Sequence, residues 1–195
     1  MDSRKFLFIA AVFGISQIAW TQSPTYSLGR APTAEEIRAW DIAISPTGKE
    51  LPPGQGTAKE GAALYTAKGC AGCHGATGSG GHAPTLIARK GVQASPSDHC
   101  LAPCVNDSNA MGIHSPFATT MWDYINRGMP LGREGSLKPN EVYSLTAFLL
   151  FKNGVIKEDE VMDAQSLPKV KMPNAAGYGL PPAWKHGTPR LQGYP

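Results

Sequence analysis

Cys70-Ala71-Gly72-Cys73-His74 constrains this chain more than any other stretch. Two cysteines two residues apart, followed at once by histidine, form the attachment signature of c-type haem. The spacing has a chemical reason. On one turn of helix each sulfur can form a thioether with one haem vinyl group, and His74 then lies under the iron as its proximal ligand. A CxxC pair has two other readings, a redox-active dithiol and half of a zinc site. A redox pair has no need of His74, and a zinc site needs a second ligand pair. The motif therefore points to one covalently bound haem c, with Cys70 and Cys73 holding the macrocycle.

Such a group needs a domain around it, and the chain has room for one of ordinary size plus extensions. Charged residues are 17% of the 195, below the usual quarter, while there are 22 glycines and 17 prolines. A small core with long irregular segments is expected. The formal net charge of +3 is mild, and it falls by one if residues 1–21, with Arg4, Lys5 and Asp2, are removed. Basic residues do not cluster, which argues against nucleic acid as a partner.

The first residues address the compartment. Asp2-Ser3-Arg4-Lys5 is a short basic region, Phe6 to Trp20 is apolar, and Ala19-Trp20-Thr21 offers small residues for cleavage. Residues 1–21 read as a secretory signal peptide, giving a periplasmic or otherwise extracytoplasmic protein. An uncleaved anchor is the alternative, although the run is short for a bilayer span. No later segment reads as membrane-spanning, so no membrane association is expected after cleavage.

Residues 22–56 form an N-terminal arm. Thr33-x-x-Glu36 is a capping box, predicting a short helix over 34–40 with Ile37 and Trp40 on one side. Residues 41–56, with Pro46, Gly48, Pro52, Pro53, Gly54 and Gly56, read as an extended linker, and Trp40 as the arm residue due for burial. The compact domain is expected over 57–154. Thr57-x-x-Glu60 opens a helix to about Lys68 that delivers the haem motif, with Gly61 and Tyr65 on one face. Ser115 as cap and Pro116 at the first position open a helix over Phe117–Arg127, stopped by Gly128. Pro139 and Glu141 open the strongest helix, through Phe151, with Val142, Leu145, Phe148 and Leu149 as its stripe and Asn153-Gly154 as its end. A glycine facing an aromatic permits a close crossing, so Gly61 against Phe148 is the natural pairing of first and last helices. Residues 155–195, punctuated by Pro168, Pro173, Pro181, Pro182, Pro189 and Pro195, read as an extended, non-globular C-terminal tail. The expected class is all-α: three main helices around one haem, with irregular extensions.

Iron held by His74 takes a sixth ligand or stays open to small molecules. Met111, Met121, Met129, Met162, Met172, His82, His99, His114 and His186 are the candidates. Met121 falls on the stripe Phe117-Met121-Ile125 and reads as core. Met129 stands between a helix-stopping glycine and Pro130, on a loop of fixed direction, and is favoured; His114 and His99 remain alternatives. A ligand histidine usually donates its other nitrogen to a carbonyl, and Pro84, ten residues on, can supply one. Leu86, Trp122 and Tyr124 are candidate pocket residues, and Arg89 and Arg127 candidate partners of the propionates. Cys100 and Cys104 either pair with each other or stay free; an oxidising compartment favours the disulfide.

The series Gly61, Tyr65, CxxCH, Pro84, Leu86, Met129-Pro130 and Phe148 resembles a class I monohaem cytochrome c over about residues 57–154. A wider resemblance runs through Thr33-x-Glu35-Glu36-Ile37-x-x-Trp40-Asp41-Ile42, Leu51-Pro52-Pro53-Gly54, Trp122-Asp123-Tyr124-Ile125-x-Arg127-x-Met129-Pro130 and Glu141-Val142-Tyr143-x-Leu145-Thr146-Ala147-Phe148-Leu149-Leu150. These are similar to the cytochrome c subunit of periplasmic sulfite or sulfane dehydrogenases. That resemblance implies a molybdenum-cofactor subunit as electron donor, a downstream cytochrome or oxidase as acceptor, and no substrate chemistry on this chain. The loop 99–114, with His99 and the Cys100/Cys104 pair, departs from the pattern. Two rival functions are a freely diffusing shuttle to a terminal oxidase and a haem enzyme or gas sensor with open iron.

Overall fold

Local capping starts the helices where the sequence places them. In the computed structural model, which describes residues 29–91 and 110–177, the chain divides into two units, 1–41 and 42–195. The first unit contains α1 (Ala34–Trp40). Thr33 accepts from the Glu36 backbone N–H at 3.2 Å, and Glu36 accepts from the Thr33 N–H at 2.7 Å. Arg30 pairs with the same carboxylate and, as the largest cause, holds Glu36 down at about 2. No residue of α1 is buried, and Trp40, expected to find cover, is 87% exposed.

The second unit is built on α2 (Ala58–Ala67) and α6 (Pro139–Lys152). Thr57 and Glu60 close the second capping box at 2.9 and 3.3 Å. Pro139 supplies a preset φ in the first turn of α6, and Glu141 accepts from the Lys138 N–H at 2.8 Å. Every residue of α6 from Val142 to Leu150 is buried, so this helix is central, not merely amphipathic. It crosses α2 closely. A Cβ on Gly61 would overlap the Ser144 carbonyl oxygen and stand 2.6 Å from Phe148 Cβ. Tyr65 packs its ring against Phe148 with centroids 5.3 Å apart. The expected pairing of Gly61 with Phe148 is present.

Between them run α3 (Cys70–His74), α4 (Met111–His114) and α5 (Ala118–Gly128). The start of α5 differs from expectation. Ser115 closes α4, its N–H donating to the Met111 carbonyl at 3.2 Å, so it is not available to open the next helix. Phe117, extended at φ −135° and ψ 140°, is the N-cap instead, and Pro116 lies before the helix. Met121 and Trp122 of α5 are fully buried, and the Trp122 and Tyr143 rings pack with centroids 5.5 Å apart.

The flanks of this helical core are more ordered than a linker and a tail. Residues 42–56 lie in the second unit: the Ile44 N–H donates to Asp123 at 3.1 Å, Leu51 is buried, and Tyr143 donates to the Pro52 carbonyl at 2.9 Å. Strand β1 (Gln55–Thr57) pairs antiparallel with β2 (Val161–Asp163), Gly56 opposite Met162. A 3₁₀ turn follows at Leu167–Lys169. Ile156, Met162, Leu167 and Met172 are buried, all four in the same core as Tyr65, Trp122 and Leu149. The expectation of a non-globular tail from 155 therefore does not describe residues 155–177. Its apolar residues are too widely spaced to show a period, yet Met162 on β2 and Ile156, Leu167 and Met172 outside it all enter the core.

No helix among the described residues is long and apolar enough to cross a membrane. Residues 1–21, Cys100, Cys104, His99 and His186, and with them the expected signal peptide and disulfide, lie outside the described residues.

Candidate functional site

The haem motif is a five-residue helix held at both ends. At its start, Gly69 turns the chain out of α2 in the left-handed region (φ +85°), and the Gly72 N–H donates back to the Gly69 carbonyl at 3.1 Å. At its end, the Gly75 carbonyl accepts from the Tyr65 hydroxyl at 2.9 Å, tying α3 to α2. Burial pushes the Tyr65 phenol up to about 12, so it stays a donor at any ordinary pH. Cys70 and Cys73 are half-buried and form no disulfide with each other, and burial raises the Cys70 thiol.

His74 is 8% exposed, and its Nδ1 lies 2.7 Å from the Pro84 carbonyl oxygen. A carbonyl can only accept, so Nδ1 carries the proton and Nε2 keeps the lone pair. The residues around Pro84 are secured from three sides. The Ala83 N–H donates to the Cys73 carbonyl at 3.0 Å, and the Leu86 and Ile87 N–H groups converge on the Gly78 carbonyl at 2.8 and 3.1 Å. Asn153, at the end of α6, accepts from the Ala88 N–H at 3.0 Å and donates to the Leu86 carbonyl at 3.0 Å.

Met129 is the first residue past α5, half-buried against the core, extended at φ −132° and ψ 150°, with its N–H donating to the Ile125 carbonyl at 3.1 Å. Of the other sulfur candidates, Met121, Met162 and Met172 are buried in the core, and Met111 is half-buried against it. His82 is exposed; the His114 carbonyl accepts from Asn174 at 2.9 Å. Leu86 packs against the core and Trp122 is buried, whereas Tyr124 lies on the outer face of α5, 50% exposed. Arg89 is exposed. Arg127 is paired within its own helix. It forms a two-pronged pair with Asp123, one helical turn earlier, with Nε at 2.9 Å. Asp123 also takes the Ile44 N–H, so this pair binds the N-terminal linker to α5.

Two observations test the donor set against haem c. The chain offers two unpaired thiols, an imidazole with Nε2 as its lone-pair atom and a half-buried thioether, the ligand types c-type haem requires. The buried Trp122 Nε1–H has no partner among the described residues, leaving a donor for a bound acceptor such as a propionate. No group of three or more His, Cys, Asp or Glu side chains converges among the described residues, as a zinc reading of the motif would require. The residues fit haem.

Comparison with known proteins agrees. The sequence profile described as Cytochrome c matches residues 58–151. A chain in the crystal structure of the sulfane dehydrogenase SoxCD from Paracoccus pantotrophus is 34% identical, aligns over 80% of this chain and 72% of its own length, and has a TM-score of 0.59. This chain belongs to the cytochrome c family. The curated proteins contain no match. A cytochrome c carries its haem covalently, and Cys70, Cys73 and His74 stand in the attachment motif. The all-α class I architecture expected from the sequence is the one observed, with six helices and one small two-stranded sheet among the described residues.

Sequence reasoning missed three contributors to this cytochrome c site. Tyr65 had a signal, four residues after Gly61, but only as a packing residue. Asn153 reads as a helix stop, and nothing in its neighbours reveals a second role. Asp123 had the clearest signal, since an aspartate four residues before Arg127 on a helix is an ion-pair spacing.

Proposed function

We propose that this cytochrome c is the haem subunit of a periplasmic, molybdenum-cofactor dehydrogenase acting on sulfite or a related sulfur compound, and that it passes the electrons on to a downstream cytochrome or oxidase. The observation that carries the reading is the extent of the likeness to SoxCD. It covers 80% of the chain, well beyond the haem domain at 58–151, and so includes segments that an isolated carrier has no need of. The basic and apolar run at residues 1–21 supports export.

Cys70 and Cys73 would hold the macrocycle, and His74 and Met129 the iron. When bound, the haem supplies a one-electron couple between Fe(III) and Fe(II). The chain's part is to set that couple. The Pro84 carbonyl fixes the His74 tautomer and ring plane. A thioether from Met129 favours the reduced state relative to a second histidine. Trp122 supplies a buried donor beside a largely apolar core. None of these groups forms a nucleophile–base pair, so oxidation of the sulfur compound falls to the partner.

Two measurements test this reading. The full chain purified from its native periplasm is expected to co-elute with molybdenum, and its mature N-terminus to start near residue 22; a haem protein that elutes alone contradicts the subunit reading. Met129→Ala is expected to abolish the weak absorption at the red end of the oxidised spectrum that marks sulfur–iron ligation, and to let the reduced protein bind carbon monoxide. Retention of that band in Met129→Ala and its loss in Met111→Ala would move the ligand to α4.

A further inference from the structure

Asn153 makes more contacts with the haem-side loop than a helix stop requires. Its Oδ1 accepts from the Ala88 N–H at 3.0 Å, while its Nδ2 donates to the carbonyls of Leu86 at 3.0 Å and Leu149 at 2.8 Å. One donor partner, the Ala88 N–H, and two acceptor partners, the Leu86 and Leu149 carbonyls, admit a single orientation of the carboxamide. The group has no room to swing aside, because Gly112 of α4 lies so close that a Cβ there would overlap the Asn153 side chain. Thus one side chain ties α6, the central helix, to the two residues that follow Pro84 by two and four positions. Without it, the backbone bonds of this stretch among the described residues go to the Gly78 and Cys73 carbonyls, in the haem motif itself and the short loop that follows it.

We propose that Asn153 is a positioning residue for the axial histidine: it fixes the loop 84–88 so that the Pro84 carbonyl stays within hydrogen-bond distance of His74 Nδ1, and through that bond it sets the haem potential. The proposal rests on the reading that His74 binds the iron through Nε2. A short bond from Nδ1–H to a carbonyl makes the imidazole a more basic ligand and stabilises Fe(III). Loosening the loop weakens that bond, lowers the basicity of His74 and shifts the couple toward Fe(II). The midpoint potential of an Asn153 variant therefore rises. Loss of burial alone gives no such effect, because among the described residues Asn153 is linked to His74 through its bonds to Leu86 and Ala88 and through the Pro84 carbonyl between them.

The test compares holoprotein of the full chain with Asn153→Ala, Asn153→Ser and, as a control for general loss of stability, Leu167→Ala in the core remote in sequence from the haem loop. Midpoint potentials and the exchange rate of the His74 Nδ1 proton by NMR are read for each. Both Asn153 variants are expected to favour the reduced state at least threefold, about 28 mV at 59 mV per tenfold for one electron, with faster proton exchange. Leu167→Ala should lower the melting temperature and leave the potential in place. If Asn153→Ala does not hold its fold, the smaller loss in Asn153→Ser decides. An unchanged or lowered potential with a lowered melting temperature would overturn the proposal, reducing Asn153 to a helix cap. A wild-type spectrum without low-spin histidine ligation would instead overturn the His74 reading, and the proposal with it.

Discussion

A chain ending at Gly154 is expected not to fold, although it contains the haem motif, Met129 and the six helices of the described residues. The truncation removes Ile156, Met162, Leu167 and Met172 from the interior, together with the partner strand of β1. Losing a single buried leucine or methionine side chain costs about 2–5 kcal/mol. Four such losses approach or exceed the total stability of a domain, about 5–15 kcal/mol. Leu167→Ala alone, in the full chain, should lower stability by about 2–5 kcal/mol, since Leu167 has no exposed surface. Circular dichroism and haem incorporation of chains ending at 154 and at 177 check this. A chain ending at 154 with native haem content and a cooperative melt would mean that residues 155–177 only decorate the domain.

Gly61→Val is expected to prevent close approach of α2 and α6 and to cost more than an ordinary core substitution. The obstruction is backbone: the Ser144 carbonyl oxygen of α6 occupies the place of a Cβ, and no rotamer change relieves it. Overpacking typically costs about 1–3 kcal/mol and more when backbone must shift. Even Gly61→Ala, which gains about 1 kcal/mol of helix propensity, should come out destabilised. Denaturant midpoints of the holoproteins measure both. An alanine variant as stable as the wild type would show that the crossing can open at no cost, and that the glycine is there for another reason.

The contrast between these two predictions shows what was legible. Gly61 and Phe148 could be paired from the sequence because a missing side chain and an aromatic on two strong helices leave few alternatives. Thr57 with Glu60 and Thr33 with Glu36 could be read because a capping box is complete within four residues. His74 and Pro84 came together because the ligand's free nitrogen demands an acceptor and the loop between is short. Met162, Leu167 and Met172 could not be placed: they are widely spaced apolar residues in an irregular stretch, and their burial depends on partners distant in sequence, for Met162 the Gly56 position of β1, more than a hundred residues earlier. The opening of α5 was misread because Ser115 and Pro116 carry a good local start signal, but the preceding turn of α4 claims Ser115 first. Arg127, a candidate partner of a propionate, has a partner of its own in Asp123, one turn away. Local chemistry was readable; competition for a residue by two neighbours was not.

The measurement that tests the functional reading most directly is the absorbance of the haem while the purified complex oxidises its sulfur compound. Addition of sulfite or a sulfane donor to the oxidised complex is expected to bring up the reduced haem bands within turnover. The cytochrome freed of its partner should stay oxidised under the same conditions. Substrate consumed by the complex while the haem remains oxidised, or reduction of the isolated cytochrome at the same rate, would contradict a path from the partner through His74-bound iron.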